Sequence, residues 1–395
     1  MPGPLEGIRV CDLSIAQFGA HATMMLADMG AEVIKVESPR MGDPGRGIEL
    51  QPSGVSPFFQ AHNRNKKSIA VNLRRPEGKE LVLRLAERSD VFVQSWRPGV
   101  IERLGLDYET VRSRKADIIY ASATGFGSRG PRAELPAMDF VAQGAGGLAM
   151  ANAGRDDAEP LPAAATIADQ TGSFLLAYGI VLALLHRQHT GEGQRVDVSL
   201  LGGQISLQGW TITSYYLTGR NPQAGPRQER SPLFNFYRAA DGWFAITMID
   251  ERQWPVLCRL IGRPELAEEP RFQGREARQR HAAELVALLD GAFATSRRDE
   301  WLAALQAEEI PCGPVNSYAE LASDPQVEAN DYLVDLTLPE GITLKLPGLA
   351  VDLSETPGAI RSPAPELGQH TEEVLLALGY GWDEMTSLRE AQVIL

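Results

Sequence analysis

An unbroken apolar run, Phe174–Leu185, lies near the middle of this 395-residue chain. The run is 12 residues long, whereas a membrane-spanning helix needs about 20 apolar residues. We therefore predict a buried core helix here. The cluster TGEG at 190–193 predicts a turn after the helix, and the alternating residues 195–200 predict a strand.

One acid, Asp169, lies just ahead of this apolar run. Acidic side chains are favoured in the first turn of a helix, so Asp169 fits a capping or dipole-pairing role. A carboxylate at the edge of a dry pocket can also act as a nucleophile. The spacing alone leaves both roles open.

Composition restricts the class of protein. The chain is 44% hydrophobic and 23% charged, as in ordinary globular proteins, and its length favours two or three domains. The net charge of −13 argues against nucleic acid or an anionic membrane as a partner. The three cysteines are far apart and form no CxxC pair, and no signal or membrane-spanning pattern is found, so we expect a reducing, cytoplasmic location.

The first 200 residues alternate between strand and helix patterns. Strands are predicted at 7–13, 31–37, 69–73, 90–94, 117–123 and 195–200, and helices at 20–29, 79–89 and 100–104. This alternation predicts a parallel sheet with helices on both faces, in which ligands bind beyond the carboxyl ends of the strands. The loops that follow the predicted strands begin after Leu13, Glu37, Leu73, Gln94 and Ala123.

A different pattern follows residue 216. Residues 217–231 predict a linker, and 234–248 predict a hairpin with its turn at Asp241–Gly242. Helices are predicted at 253–261, 275–293 and 298–308, and a return segment carries strands at 343–346 and 351–353 and a helix at 371–378.

Basic residues gather on the predicted strand-end loops: Arg64, Lys66, Lys67, Arg74, Arg75, Arg97 and Arg103. Such a cluster could hold phosphates or form a solvated charged face. Trp96 could stack on a purine ring or pack in a core or interface. No GxGxxG lies between the first predicted strand and the helix that follows it, and we find no Walker loop. We find no metal-ligand spacing, so no metal is expected.

Ten short blocks, in order along nearly the whole chain, resemble the family III CoA-transferases of the CaiB/BaiF type. This group includes formyl-CoA:oxalate CoA-transferase, and alpha-methylacyl-CoA racemase shares its fold. The blocks are LEGIRVCDL (5–13), GAEVIKVE (30–37), NRNKKSI (63–69), RPG (97–99), RLGL (103–106), ASATGFG (121–127), TGEGQRVDVSLL (190–201), IPCGPV (310–315), DPQ (324–326) and LGQHT (367–371).

The resemblance implies roles for particular residues. It places the family's catalytic carboxylate on Asp169. It places the contacts with coenzyme A on Gln17, Phe18, Arg40, Asn72, Leu73, Arg74, Ser95, Trp96, Arg97 and Arg103. In the family, a basic residue often directly follows the position of Glu37, but Ser38 stands there in this chain. Arg40 is therefore assigned the role of that basic residue.

The resemblance also implies an α/β fold with a doubly wound parallel-sheet large domain, a smaller α+β domain and an interlocked-ring homodimer. We expect the large domain at 1–216, the linker at 217–231, the small domain at 232–325 and the return segment at 326–395. The implied activity moves CoA from an acyl-CoA to a free carboxylic acid. The alternative is an acyl-CoA racemase, but Met138 stands where the racemases carry a proton-transferring histidine.

Overall fold

The computed structural model describes residues 2–154, 157–221, 226–248, 250–339 and 341–395. The strands are β1 (Arg9–Leu13), β2 (Glu32–Glu37), β3 (Lys66–Ala70), β4 (Val91–Gln94), β5 (Ile119–Thr124), β6 (Arg195–Ser199), β7 (Phe234–Arg238), β8 (Trp243–Thr247), β9 (Cys312–Pro314), β10 (Leu333–Thr337) and β11 (Thr343–Pro347). The helices are α1 (Phe18–Asp28), α2 (Pro57–Asn63), α3 (Pro76–Glu87), α4 (Val100–Arg103), α5 (Tyr108–Arg114), α6 (Asp139–Ala145), α7 (Leu148–Ala153), α8 (Ile167–Thr190), α9 (Leu200–Leu207), α10 (Gly209–Thr218), α11 (Gln253–Leu260), α12 (Arg275–Arg280), α13 (Ala282–Phe293), α14 (Arg298–Ala307), α15 (Tyr318–Leu321), α16 (Pro325–Ala329), α17 (Thr371–Ala377) and α18 (Trp382–Glu390).

Internal contacts divide the chain into two units. The first comprises the chain up to Leu148, Pro162–Thr213 and Asp331–Leu395, and the second comprises Ala149–Leu161 and Ser214–Asn330. The predicted boundaries at 216, 231 and 325 stay a prediction.

The first unit is built on a six-stranded sheet of order β3-β2-β1-β4-β5-β6 with every pairing parallel. The predicted parallel α/β sheet is confirmed. Successive residues of one strand enter different apolar clusters: Cys11 of β1 belongs to one and Val10 to the other. Both faces of the sheet are therefore covered, as the apolar strands require.

The strand order reverses between β1 and β4, because β1 is followed by β2 on one side and the chain later returns to β4 on the other. Val10 pairs with Val91, and Leu13 pairs with Gln94 at the carboxyl ends. The loops leaving these two strands diverge and leave a crevice. Doubly wound sheets bind their ligands at such a switch point.

The second unit holds the three-stranded antiparallel sheet β7-β8-β9. The hairpin predicted at 234–248 is confirmed, with β7 and β8 flanking the Asp241–Gly242 turn. The helical pattern predicted at 275–293 is confirmed, but as two helices, because non-helical backbone at His281 separates α12 from α13. Near this break, the buried Arg278 of α12 donates hydrogen bonds to the Phe272 carbonyl and to Glu251.

The return segment completes the first unit. The antiparallel pair β10-β11 contains the strand predicted at 343–346, but the strand predicted at 351–353 is wrong. Val351 is exposed and pairs with no strand edge among the described residues. Helix α18 was not predicted, since only Met385 of its nine residues is buried. The last residues join the sheet edge through a bridge between Ile394 and Val71.

Helix α8 differs from the short buried helix predicted at 174–185. It has 24 residues and includes Asp169 in its first turn. Leu176 and Ile180 are buried, but Tyr178 is 62% exposed and Phe174 56% exposed, so only one side of the helix is in the core. Its length and composition would suffice to span a membrane, which is weak evidence because core helices meet the same test.

Buried charges lie beneath the carboxyl ends of the first three strands. Lys66 Nζ contacts Asp12 Oδ2 at 3.1 Å, Asn63 Oδ1 at 2.9 Å and the Ala20 carbonyl at 2.8 Å. Burial lowers the pKa of Lys66 to about 8, although Asp12 opposes this shift. Burial also opposes ionisation of Asp12, but Lys66 and Lys35 hold its pKa below the ordinary value. The charges are thus compensated inside the fold.

Replacement of the buried lysine should destabilise the unit strongly. We expect Lys66→Met to lower the free energy of unfolding by about 3 to 5 kcal/mol, because Asp12 loses its nearest cation in a dry site. The neighbouring Lys67 has a side chain 32% exposed and pairs with Glu32 and Glu373. The control Lys67→Met should cost less than about 1 kcal/mol. Equal losses for the two variants in urea unfolding at pH 7 would contradict this account.

Candidate active site

Asp169 is held in place by a second acid. Asp139, the first residue of α6, accepts hydrogen bonds at Oδ1 from the backbone N–H of Ala168 (2.7 Å) and of Asp169 (3.3 Å). Thr166, which precedes α8, provides no side-chain cap. Asp139 therefore satisfies N–H groups that the start of a helix otherwise leaves unpaired.

The other oxygen of Asp139 is held as well. Gln143 donates to Asp139 Oδ2 at 2.6 Å and accepts from the Ala163 N–H at 2.9 Å. This chain of bonds ties the start of α8 to α6 and to the segment before α8. The Asp169 backbone is fixed before any ligand arrives.

The Asp169 carboxyl group lies in an environment that disfavours its charge. Burial raises its pKa to about 7, and the negative charge of Asp139 adds to the shift. Nothing in the described ranges donates a hydrogen bond to this carboxylate to offset the cost. Asp169 consequently exchanges its proton near neutral pH, and its ionised form is poorly solvated and available to react.

A cavity of about 300 Å³ opens at Asp169. It is lined by loops at the carboxyl ends of β1, β4 and β5 and by the segment before α6: Ile15, Ala16, Gln17, Phe18, Ser95, Trp96, Arg97, Pro98, Ala123, Thr124, Gly125, Ala133, Leu135, Ala137 and Met138, with Pro44 and Leu200. Asp169 thus faces the crevice at the switch point of the sheet.

A second cavity, of about 370 Å³, adjoins the first. Ile15, Pro44 and Trp96 line both cavities. The second also contains Asn72, Leu73 and Arg74, which follow β3. The two cavities therefore lie side by side along the strand ends, between the Arg74 loop and Asp169.

Comparison with known proteins identifies the family to which this chain belongs. The family model of CoA-transferase family III matches residues 5–371. This chain belongs to that family. It is similar to a succinate–glutarate CoA-transferase of Agrobacterium fabrum (33% identity, covering 95% of this chain and 96% of the relative) and to a formyl-CoA:oxalate CoA-transferase of Streptomyces coelicolor (35%, covering 99% of each). A solved CaiB/BaiF family protein from Brucella suis is 32% identical with a TM-score of 0.86, covering 96% of this chain and all of that one.

The family membership makes this chain an enzyme that transfers CoA, and the resemblance noted in the sequence is confirmed. The structure brings most of the predicted site residues to the two cavities. Gln17, Phe18, Ser95, Arg97 and Asp169 line the first, Asn72, Leu73 and Arg74 line the second, and Trp96 lines both. Arg40 and Arg103 are exposed and line neither cavity. The roles assigned to all these residues stay predictions.

Several predicted contacts in this family III enzyme have local structural partners. Gln17 donates through Nε2 to Thr166 Oγ1 at 2.7 Å. The Phe18 ring packs against Gly172, where a Cβ atom would lie 2.7 Å from the ring. Each side chain therefore joins the start of α1 to the start of α8 while it lines the cavity.

Two members of the basic cluster are taken up inside the fold, and two others lie at the cavities. Arg64 forms a buried ion pair with Asp28, and Lys66 forms one with Asp12. Because these two side chains are buried and paired, they neither belong to a solvated charged face nor hold phosphates. Both interpretations of the cluster are therefore wrong for them. Arg74 and Arg97 remain at the cavities.

The sequence analysis missed Asp139 as a partner of Asp169. The only local signal was an acid at the start of a short helical segment, and many surface acids share that signal. The contact joins residues 30 positions apart in the chain, and only the folded arrangement reveals it.

The Asp169 carboxyl group should titrate near pH 7. The infrared difference spectrum between wild type and Asp169→Asn should contain the carboxylic acid stretch of Asp169. As the pH rises, this band should disappear with a midpoint near pH 7, because burial and Asp139 raise the pKa to about 7. Asp139→Asn should move the midpoint downward, since it removes the neighbouring negative charge. A group already fully ionised at pH 5 in the wild type would contradict the prediction.

Proposed function

We propose that this enzyme moves CoA from an acyl-CoA donor to a free carboxylic acid, with Asp169 as the nucleophile. The observation that carries the proposal is a poorly solvated carboxyl group with a pKa of about 7, in a cavity that shares lining residues with a second one. A structural cap would not need this exposure to a cavity, and Asp139 already caps α8.

The reaction we propose has two covalent stages. An Asp169 oxygen attacks the acyl-CoA thioester and displaces CoA thiolate, which leaves a mixed anhydride. The thiolate attacks the aspartyl carbonyl of the anhydride and displaces the donor acid as its carboxylate. Asp169 is then the acyl part of a thioester with CoA.

In the second half of the reaction, the same kinds of bond form and break in the reverse order. The incoming carboxylate attacks the aspartyl thioester and displaces CoA thiolate, which gives a new anhydride. The thiolate attacks the carbonyl that came from the incoming acid, so the new acyl-CoA forms and Asp169 leaves as a carboxylate. No proton is gained or lost overall, which suits a site with few polar groups.

We propose that CoA occupies a path along the two cavities. Arg74 and Arg97 carry positive charge for phosphate groups, and Trp96 and Leu73 offer apolar surface. Gln17, Phe18, Asn72 and Ser95 complete the proposed lining. Arg40 and Arg103 would contact CoA only at the exposed end of this path.

The carboxylic acid partner is proposed by analogy. Relatives of this chain are named for succinate, glutarate and oxalate. We propose a short-chain carboxylic acid of this class. A panel of acyl-CoA donors against these acids is the direct assay.

The racemase alternative is less well supported. Racemisation needs two proton-transfer groups flanking one carbon atom, and Met138 lines the cavity where the racemases carry a histidine. Of the acids the alternative could recruit, Glu251 is paired with Arg278 and Asp250 with Arg252. Solvent deuterium entering the alpha carbon without an acid acceptor would favour the alternative.

We also propose an interlocked homodimer in the cytoplasm. Large apolar side chains of the first unit are exposed along three consecutive helices: Phe174, Tyr178, Val181, Leu182 and Leu185 on α8, Ile205 and Leu207 on α9, and Trp210 on α10. Exposed apolar patches of this kind mark interaction surfaces. A second copy of this chain is the proposed occupant, as the family resemblance implies.

Loss of the nucleophile should abolish transfer. We expect Asp169→Ala to reduce the rate of CoA transfer by at least ~10³-fold, because no other group forms the covalent intermediate. Hydroxylamine should inactivate the wild type during turnover by capturing the aspartyl thioester, and should not modify the variant. Asp107→Ala, which removes a partly exposed capping acid of α5, is the control and should keep activity. Full activity in Asp169→Ala would refute the proposal.

Interlocked chains should stay together on dilution. Sedimentation velocity should give twice the mass of one chain over a roughly 100-fold range of concentration, because ring closure adds to the apolar contact. A species of single-chain mass throughout this range would contradict the dimer.

A further inference from the structure

The loop between β1 and α1 is held by hydrogen bonds that its backbone N–H groups donate to three side chains. The Ser14 N–H donates to Asp12 Oδ1 at 2.9 Å, and the Ile15 N–H donates to Ser95 Oγ at 2.9 Å. The next N–H, that of Ala16, donates to Asp43 Oδ1 at 3.0 Å. Three successive N–H groups therefore depend on three different acceptors.

Ala16 has an unusual backbone conformation. Its φ is 57°, in the left-handed region that residues with a Cβ atom rarely adopt. Such a conformation persists only where the surroundings hold it. The bond to Asp43 acts directly on this residue.

Asp43 is itself fixed on every side. Its Oδ1 also accepts from the Gly45 N–H at 2.7 Å, and its backbone N–H donates to Glu37 Oε2 at 2.9 Å. Lys35 Nζ lies 2.7 Å from Asp43 Oδ2, and both side chains are fully buried. Lys35 Nζ also donates to the Ser14 carbonyl at 2.8 Å. This ion pair thus contacts the loop at two points, Ser14 and Ala16.

The loop that this pair holds is part of the candidate active site. Ile15, directly before Ala16, lines both cavities, and Gln17, directly after it, lines the Asp169 cavity and bonds to Thr166. A change in the backbone at Ala16 would move Ile15 and Gln17 in different directions. The part of the cavity wall formed by this loop therefore depends on the backbone conformation at Ala16.

We propose that Asp43, supported by Lys35, is a positioning residue that holds Ala16 in its left-handed conformation and so places Ile15 and Gln17 at the Asp169 cavity. The proposal rests on the proposed role of the Asp169 site in CoA transfer. Asp43 does not itself line the cavity at Asp169, although it lines the second cavity, and it acts on the Asp169 cavity through Ala16.

The test is a double-mutant cycle. Asp43→Ala should lower kcat by about 100-fold, with a smaller change in KM for acyl-CoA, because the thioester is then misplaced relative to Asp169. Glycine adopts the left-handed region without a Cβ penalty. Ala16→Gly should therefore raise kcat about tenfold more in the Asp43→Ala background than in the wild type.

A second variant covers the case in which Asp43→Ala does not fold. Asp43→Asn keeps an acceptor oxygen for the Ala16 N–H but loses the charge paired with Lys35. Hydrogen exchange of the peptide that contains Ala16 should be as slow in Asp43→Asn as in the wild type, and fast exchange in this variant would overturn the role of the acceptor oxygen at position 43. Fast exchange in the wild type would overturn the proposal.

A control variant, Asp107→Ala, separates a failure of this proposal from a failure of the proposed function. Asp107→Ala also removes a capping bond in the same unit, from the partly exposed Asp107, and it should show no coupling to Ala16→Gly. Equal effects of Ala16→Gly in all three backgrounds would overturn the positioning role of Asp43. That result leaves the proposed role of Asp169 as the nucleophile unaffected, because the activity of Asp169→Ala tests that role separately.

Discussion

The bond from Asp139 to the first turn of α8 is the interaction on which the site depends. The carboxylate satisfies the N–H groups of Ala168 and Asp169 and places a negative charge beside the Asp169 side chain. The first effect fixes where the Asp169 backbone lies. The second, added to burial, raises its pKa to about 7. One side chain therefore contributes both the position and the reactivity of another.

The surrounding walls depend on charges that the solvent does not reach. The sheet brings the ends of β1 and β4 together at the switch point, but the loops beyond these ends have no regular structure of their own. Buried pairs supply what is missing: Lys66 with Asp12 beneath the loops, and Lys35 with Asp43 beside them. Such pairs add little net stability but strongly penalise the loss of one partner, which suits a rigid site.

The sequence predicted the elements whose signals are local. The strand and helix alternation predicted the parallel sheet, and the Asp241–Gly242 pair predicted the hairpin. The family resemblance pointed to Asp169 and to the loops that the structure brings to the cavities. The helix α8 was predicted too short, because His186 and Arg187 interrupt the apolar run without ending the helix. The ion pairs of Arg64 and Lys66 could not be predicted, since their partners lie 36 and 54 positions away in the chain.

The central claim is that the Asp169 side chain carries CoA during turnover. Mass spectrometry of enzyme quenched in acid while acyl-CoA is in excess tests it most directly. We predict a peptide containing Asp169 with its mass increased by that of CoA less one water, and fragmentation that assigns the addition to this residue. An enzyme that turns over at full rate with this peptide unmodified, or with CoA attached to another residue, would contradict the account.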